Sequence, residues 1–131
     1  MAKILSIDDD PVILQLISRS LQELAPVETM TNPVEGLSRY IASPHDYDVL
    51  LTDQNMGSLL KGIDVIRRVR EHEEKCNYAP FMALVASTVP EIVEEARALG
   101  AEYLPKPFTR ENLRALVQRG LAQHKTKQSK I

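Results

Sequence analysis

Five times along the chain a short apolar run is followed by a longer amphipathic one. The short runs are 4–7, 27–30, 49–52, 81–86 and 103–104, and the longer ones are 11–24, 33–41, 63–70, 90–99 and 109–121. Within the longer runs the apolar residues recur at helical spacing, as with Ile13, Leu16, Ile17, Leu21 and Leu24, so each can lay one face on a sheet. Of the short runs, 81–86 is apolar throughout and 4–7 and 49–52 carry one small hydroxyl residue each, the pattern of strands covered on both faces when helices return each strand parallel to the last. The alternation predicts an α/β fold with an open, doubly wound parallel sheet. Start and stop signals agree. Asp10 can cap a helix opening at Pro11, Pro90 can open the fourth, Thr109 with Glu111 can start the fifth, and Gly100 can end the fourth.

At 131 residues the chain has room for one core, so a single domain over 1–122 is expected, with 123–131 as a polar tail or the start of a linker. A net charge of −2 offers no broad basic face for nucleic acid. The single cysteine, Cys76, excludes an internal disulfide, and no signal peptide or membrane-length apolar run is seen, so a cytoplasmic setting is the default expectation. No base is arranged around Cys76 in sequence, and it reads as non-catalytic.

In such a sheet, residues just past the strand C-termini meet at one edge. Here they are Asp8, Asp9 and Asp10 after the first strand, Asp53 after the third, Ser87 and Thr88 after the fourth, and Lys106 after the fifth. Taken singly these residues are unremarkable, since an acid before a helix is often only a cap. Together, clustered carboxylates in a low-dielectric setting must hold protons or a cation. Oxygen ligands with no thiolate or imidazole beside them suit Mg2+ rather than zinc. The histidines, His45, His72 and His124, are scattered and read as surface residues. With a metal on one side and Lys106 on the other, Asp53 can act as a nucleophile that carries a phosphoryl group as an acyl phosphate.

These motifs, in this order, resemble the receiver domain of two-component response regulators, from Lys3 to about Leu121. "ILSIDDDP" resembles the family's first strand and acidic pair, Asp8 and Asp9. "VLLTDQNM" is similar to the phosphoacceptor segment, which implies Asp53 as acceptor and the backbone carbonyl of Asn55 as a further Mg2+ ligand. "GAEYLPKPF" is similar to the last strand, implying Lys106 as the phosphoryl-binding lysine, a cis Lys106–Pro107 bond and Tyr103 as the switch aromatic. The resemblance further implies a five-stranded flavodoxin-like sheet in the order 2-1-3-4-5. It implies phosphorylation by a histidine kinase or histidine phosphotransfer protein, and signalling through the surface of the fourth helix, fifth strand and fifth helix to a downstream protein or fused output domain, with a homodimer as a further option. Asn55 and Ser87 would flank the water that later removes the phosphoryl group.

Three departures stand out. Val85 occupies the position of the family's Thr or Ser hydroxyl, leaving Ser87 as the nearest substitute. The segment "MGSLLKG" has Gly57 where proline is common and is one residue longer, which predicts Leu59 and Leu60 in an exposed loop beside the acids. One acid is missing before Tyr103. Two alternatives to a phosphoacceptor therefore stay open: an interaction module independent of phosphorylation, and a small Mg2+-dependent phosphatase with Asp8 as nucleophile and Asp10 as acid/base.

Overall fold

The computed structural model describes residues 3–129. Its five strands are β1 (Ile4–Ile7), β2 (Val27–Met30), β3 (Val49–Thr52), β4 (Phe81–Ala86) and β5 (Glu102–Pro105). Helices α1 (Pro11–Leu21), α2 (Pro33–Ala42), α3 (Gly62–Cys76), α4 (Pro90–Ala98) and α5 (Arg110–Ser129) alternate with them. All pairings are parallel, in the order β2-β1-β3-β4-β5, as expected from the resemblance.

The apolar runs form strands because both of their faces are covered. Leu5, Ile7, Leu50, Met82, Leu84 and Ala86 pack with residues of α2, α3 and α4 in one core cluster. Their alternates Ile4, Val49, Leu51, Ala83 and Val85 pack with Ile17 and Leu21 of α1 and with Leu113, Leu116 and Val117 of α5 in the other. Alternation along each strand thus assigns residues to opposite layers. Every residue of β1 and β3 is buried.

Chain punctuation follows the sequence signals. The Asp10 carboxylate accepts from the Val12 N–H at 2.9 Å, Thr109 Oγ1 accepts from the Asn112 N–H at 3.0 Å, and Gly100 follows α4 at φ 80°. Two helices run further than their apolar spacing predicted. Helix α3 continues through the charged segment "EHEEKC" to Cys76, supported by an Arg70–Glu73 pair at 3.1 Å and closed by Asn77 at φ 55°. Helix α5 continues to Ser129, so much of the segment read as a tail is helical.

The surface placement of His124 is corrected for a related reason. It is 6% exposed, its ring edge packs on Tyr78, and its Nδ1 lies 3.7 Å from Asp48 Oδ2. His45 is exposed and His72 half-buried. Among the described residues, no helix is long and apolar enough to cross a membrane.

Candidate functional site

The sheet register aligns Ile7 with Thr52, Thr52 with Leu84, and Ala86 with Pro105, so four strands end along one edge. Asp8, Asp53, Ser87 and Lys106 follow those ends. One carboxylate oxygen each from Asp8, Asp9 and Asp53 lie within 4.8 Å of one another. Asp8 is 2% exposed, Asp53 is half-buried and Asp9 is exposed.

Lys106 enters this cluster from β5. Its Nζ donates to Asp8 Oδ2 at 2.7 Å and lies 3.3 Å from Asp53 Oδ2. The other Asp8 oxygen accepts from the Asp10 N–H at 2.9 Å. Asp10 itself faces α1 as its cap.

Burial pushes the Asp53 carboxyl above its ordinary range. The Gln54 N–H and the Lys106 ammonium oppose that shift, and the Asp8 charge adds to it. Lys106 moves upward from its ordinary value although burial opposes the change, because the hydrogen bond and charge of Asp8, followed by Asp53, outweigh it. Lys106 pairs with two of the three carboxylates, Asp8 and Asp53, which leaves room for further positive charge. The donor set, oxygen only and partly open to solvent, fits a hard divalent ion such as magnesium.

Two residues that sequence reading passed over shape the acceptor. Gln54 is 5% exposed, and its N–H donates to Asp53 Oδ1 at 2.7 Å. Its own side-chain Oε1 accepts from the Ile63 N–H at 2.8 Å, and its carbonyl accepts from Gly62 N–H at 3.0 Å. Gly62 meets Asp53 so closely that a Cβ there would lie 1.9 Å from the Asp53 carbonyl oxygen. The available signal was a glycine opening an amphipathic helix, where nothing about helix propensity asks for one.

The remaining positions fall around this centre. Asn55 is exposed two residues past Asp53, and Gly57 has φ 63°. Leu59 is 99% exposed, but Leu60 is partly buried against the α2-α3-α4 side of the core, which corrects the expectation of two exposed leucines. Ser87 is exposed and its hydroxyl donates to the Lys106 carbonyl at 3.2 Å. Val85 is 2% exposed within the α1/α5 cluster. Tyr103 is half-buried on the opposite layer, and its hydroxyl donates to the Ala86 carbonyl at 3.0 Å. The Lys106–Pro107 peptide is cis.

Comparison with known proteins agrees with this geometry. The family model described as "Response regulator receiver domain" matches residues 4–118. The chain is 31% identical over 121 residues to the chemotaxis protein CheY of Pseudomonas aeruginosa, covering 89% of this chain and 94% of that one. Among solved structures, a response regulator receiver domain protein from Clostridium thermocellum superposes with a TM-score of 0.82 at 29% identity, over 96% of this chain and 98% of that one. The Vibrio cholerae chemotaxis protein CheY4 gives 0.77 at 32% identity, over 92% and 99%. With the strand order, the acidic cluster and the lysine all in place, the chain belongs to the response regulator receiver domain family of two-component signalling.

Proposed function

We propose that this receiver domain accepts a phosphoryl group on Asp53 from a phosphohistidine of a histidine kinase or phosphotransfer protein, in a magnesium-dependent reaction. The observation that carries this reading is the position of Lys106 Nζ between Asp8 at 2.7 Å and Asp53 at 3.3 Å, beside three convergent carboxylates. Asp53 Oδ1 is engaged by a backbone N–H, and Oδ2 faces the ammonium. Oδ2 therefore attacks phosphorus. The new O–P bond forms as the N–P bond of the donor breaks, and the imidazole leaves with the electron pair and takes up a proton.

Asp8, Asp9, Asp53 and the Asn55 backbone carbonyl would hold the magnesium ion. When bound, it would neutralise charge on the phosphoryl oxygens. Lys106 holds the opposite side of the same charge, and burial of Asp8 and Asp53 lowers the screening between them. Next to Lys106, a shallow groove of about 350 Å³ is lined by Ile13, Leu16, Ser87, Pro107 and Phe108, with Leu16 46% exposed. An apolar rim beside the acceptor suits a protein donor better than a small phosphomonoester, which favours a phosphoacceptor over a phosphatase.

Incubation with magnesium and acetyl phosphate should add one phosphoryl group, about 80 Da in intact mass, to the parent and none to Asp53→Asn. Mass gain in both proteins, or turnover of an added phosphomonoester with Asp8 required, would overturn the assignment.

The switch is read as atypical. Val85 cannot donate to a phosphoryl oxygen, and its side chain is committed to the apolar layer under α1 and α5. Tyr103 is instead tied to the Ala86 carbonyl, which also accepts from the Lys106 N–H at 3.1 Å. That carbonyl belongs to the β4-β5 edge rather than to a free loop, so Tyr103 stays turned inward whether or not Asp53 is modified. In protein carrying 13C-labelled tyrosine, the Tyr103 ring signal is expected to stay in place on phosphorylation. In Val85→Thr, at a stability cost of roughly 1–2 kcal/mol for the buried hydroxyl, the signal should move. A Tyr103 signal that moves in the parent would show that phosphorylation reaches it without a hydroxyl at position 85.

A further inference from the structure

We infer that Gln54 is a positioning residue for phosphoryl transfer, one that hangs the acceptor carboxylate from the first turn of α3. The inference deepens the phosphoacceptor reading and rests on it. The residue after the acceptor is neither a cation ligand candidate nor part of either apolar core cluster, yet it is 5% exposed. A buried side-chain carbonyl needs a partner, and this one finds it in α3. Its Oε1 accepts from the Ile63 N–H at 2.8 Å, which satisfies one of the amides that every helix leaves unpaired in its first turn. Its carbonyl takes a second, the Gly62 N–H at 3.0 Å.

These two bonds fix the backbone of Gln54, and a third passes that order on, because the Gln54 N–H donates to Asp53 Oδ1 at 2.7 Å. Side-chain rotation in Asp53 is thereby restricted. With Oδ1 held, Oδ2 is kept on the Lys106 side. On the N-terminal side the Thr52 hydroxyl donates to the Asp53 carbonyl at 2.9 Å, so the acceptor is braced from both neighbours. Lys61 and Asp64 steady the same turn of α3, with the Lys61 N–H donating to Asp64 Oδ2 at 2.9 Å. A leucine at position 54 would fill the same space but would leave the Ile63 N–H unpaired and free the loop to shift.

The test compares parent, Gln54→Leu and a control, Ile66→Ala, which truncates a buried side chain on the same helix and removes none of the hydrogen bonds around the acceptor. Three quantities are measured: the maximal rate of phosphoryl uptake from acetyl phosphate at saturating magnesium, the magnesium dissociation constant, and hydrogen exchange at the Ile63 amide. In Gln54→Leu the rate should fall about tenfold or more, as expected for an acceptor displaced by a fraction of an ångström. Magnesium affinity should fall severalfold, because Asp53 and the Asn55 carbonyl shift with the loop while Asp8 and Asp9 stay; saturating magnesium removes that loss from the rate, and protection at Ile63 should be lost. Ile66→Ala should lose stability and keep the parental rate. A rate in Gln54→Leu that matches the parent, or an equal loss in the control, would overturn the inference. A parent that takes up no phosphoryl group would sink the acceptor reading itself, whereas uptake by a parent whose Ile63 amide exchanges freely would sink the Gln54 clamp alone.

Discussion

Gly62→Ala is expected to destabilise the protein by about 3 kcal/mol and to slow phosphoryl uptake roughly a hundredfold. Two effects compete at this position. Replacing glycine by alanine in a helix ordinarily gains about 1 kcal/mol of helix propensity. Against that, the added methyl would lie 1.9 Å from the Asp53 carbonyl oxygen, 2.8 Å from its carbonyl carbon and 3.0 Å from the Gln54 Cα. These are backbone atoms, not the far ends of flexible side chains, so relief requires the acceptor segment or the whole first turn of α3 to move. The clash should win by a wide margin. Moving Asp53 by about 1 Å takes its carboxylate out of register with Lys106, which is why rate and stability fall together. Chemical denaturation and the rate of mass gain with acetyl phosphate check both halves. An alanine variant as stable as the parent would mean that the close approach of α3 to the acceptor does not exist in solution.

Gly62 also marks where sequence reading stopped. The alternating runs placed β1, β3 and β4 because burial on both faces leaves a nearly continuous apolar signal, and the edge strands β2 and β5, partly exposed and carrying Glu28 and Glu102, were placed by their position between amphipathic runs. The acids and Lys106 were legible because each directly follows a strand, and parallel winding brings strand ends to one edge. Gln54 was not legible, since a polar residue after a strand reads as a loop residue until its amide is seen capping α3. Nor was the length of α3 and α5. Both end in polar segments where helix propensity and ion pairs, rather than an apolar stripe, carry the chain onward. His124 was assigned to the surface for the same reason, because its burial depends on α5 continuing until it reaches Tyr78 and Asp48.

Lys106→Met separates the electrostatic role of the lysine from its bulk. Asp8 is 2% exposed and Lys106 Nζ, 2.7 Å away, is its nearest cation, so removing the ammonium strands a buried carboxylate. Loss of one partner from such a pair costs about 3 kcal/mol. The pH dependence has a definite sign. Asp53 already titrates above its ordinary value of 3.8, so its ionised form costs stability, fully above the folded-state pKa and not at all once the pH drops below the unfolded value. Methionine at 106 removes a group that holds that pKa down and so enlarges the cost. The deficit of the variant should therefore be greatest near neutral pH and shrink as the pH falls into the carboxylate range. At the alkaline end, the contribution of Lys106 in the parent is complete below its ordinary pKa of 10.5 and fades as the pH rises through its raised folded value. Magnesium should raise the melting temperature of Lys106→Met more than that of the parent, because a bound cation restores the positive charge that the three carboxylates have lost. Melting curves across pH, with magnesium and with a chelator, provide the check. A deficit unchanged by pH and by magnesium would assign the role of Lys106 to its aliphatic stem, and would remove the electrostatic basis for placing the transferred phosphoryl group beside it.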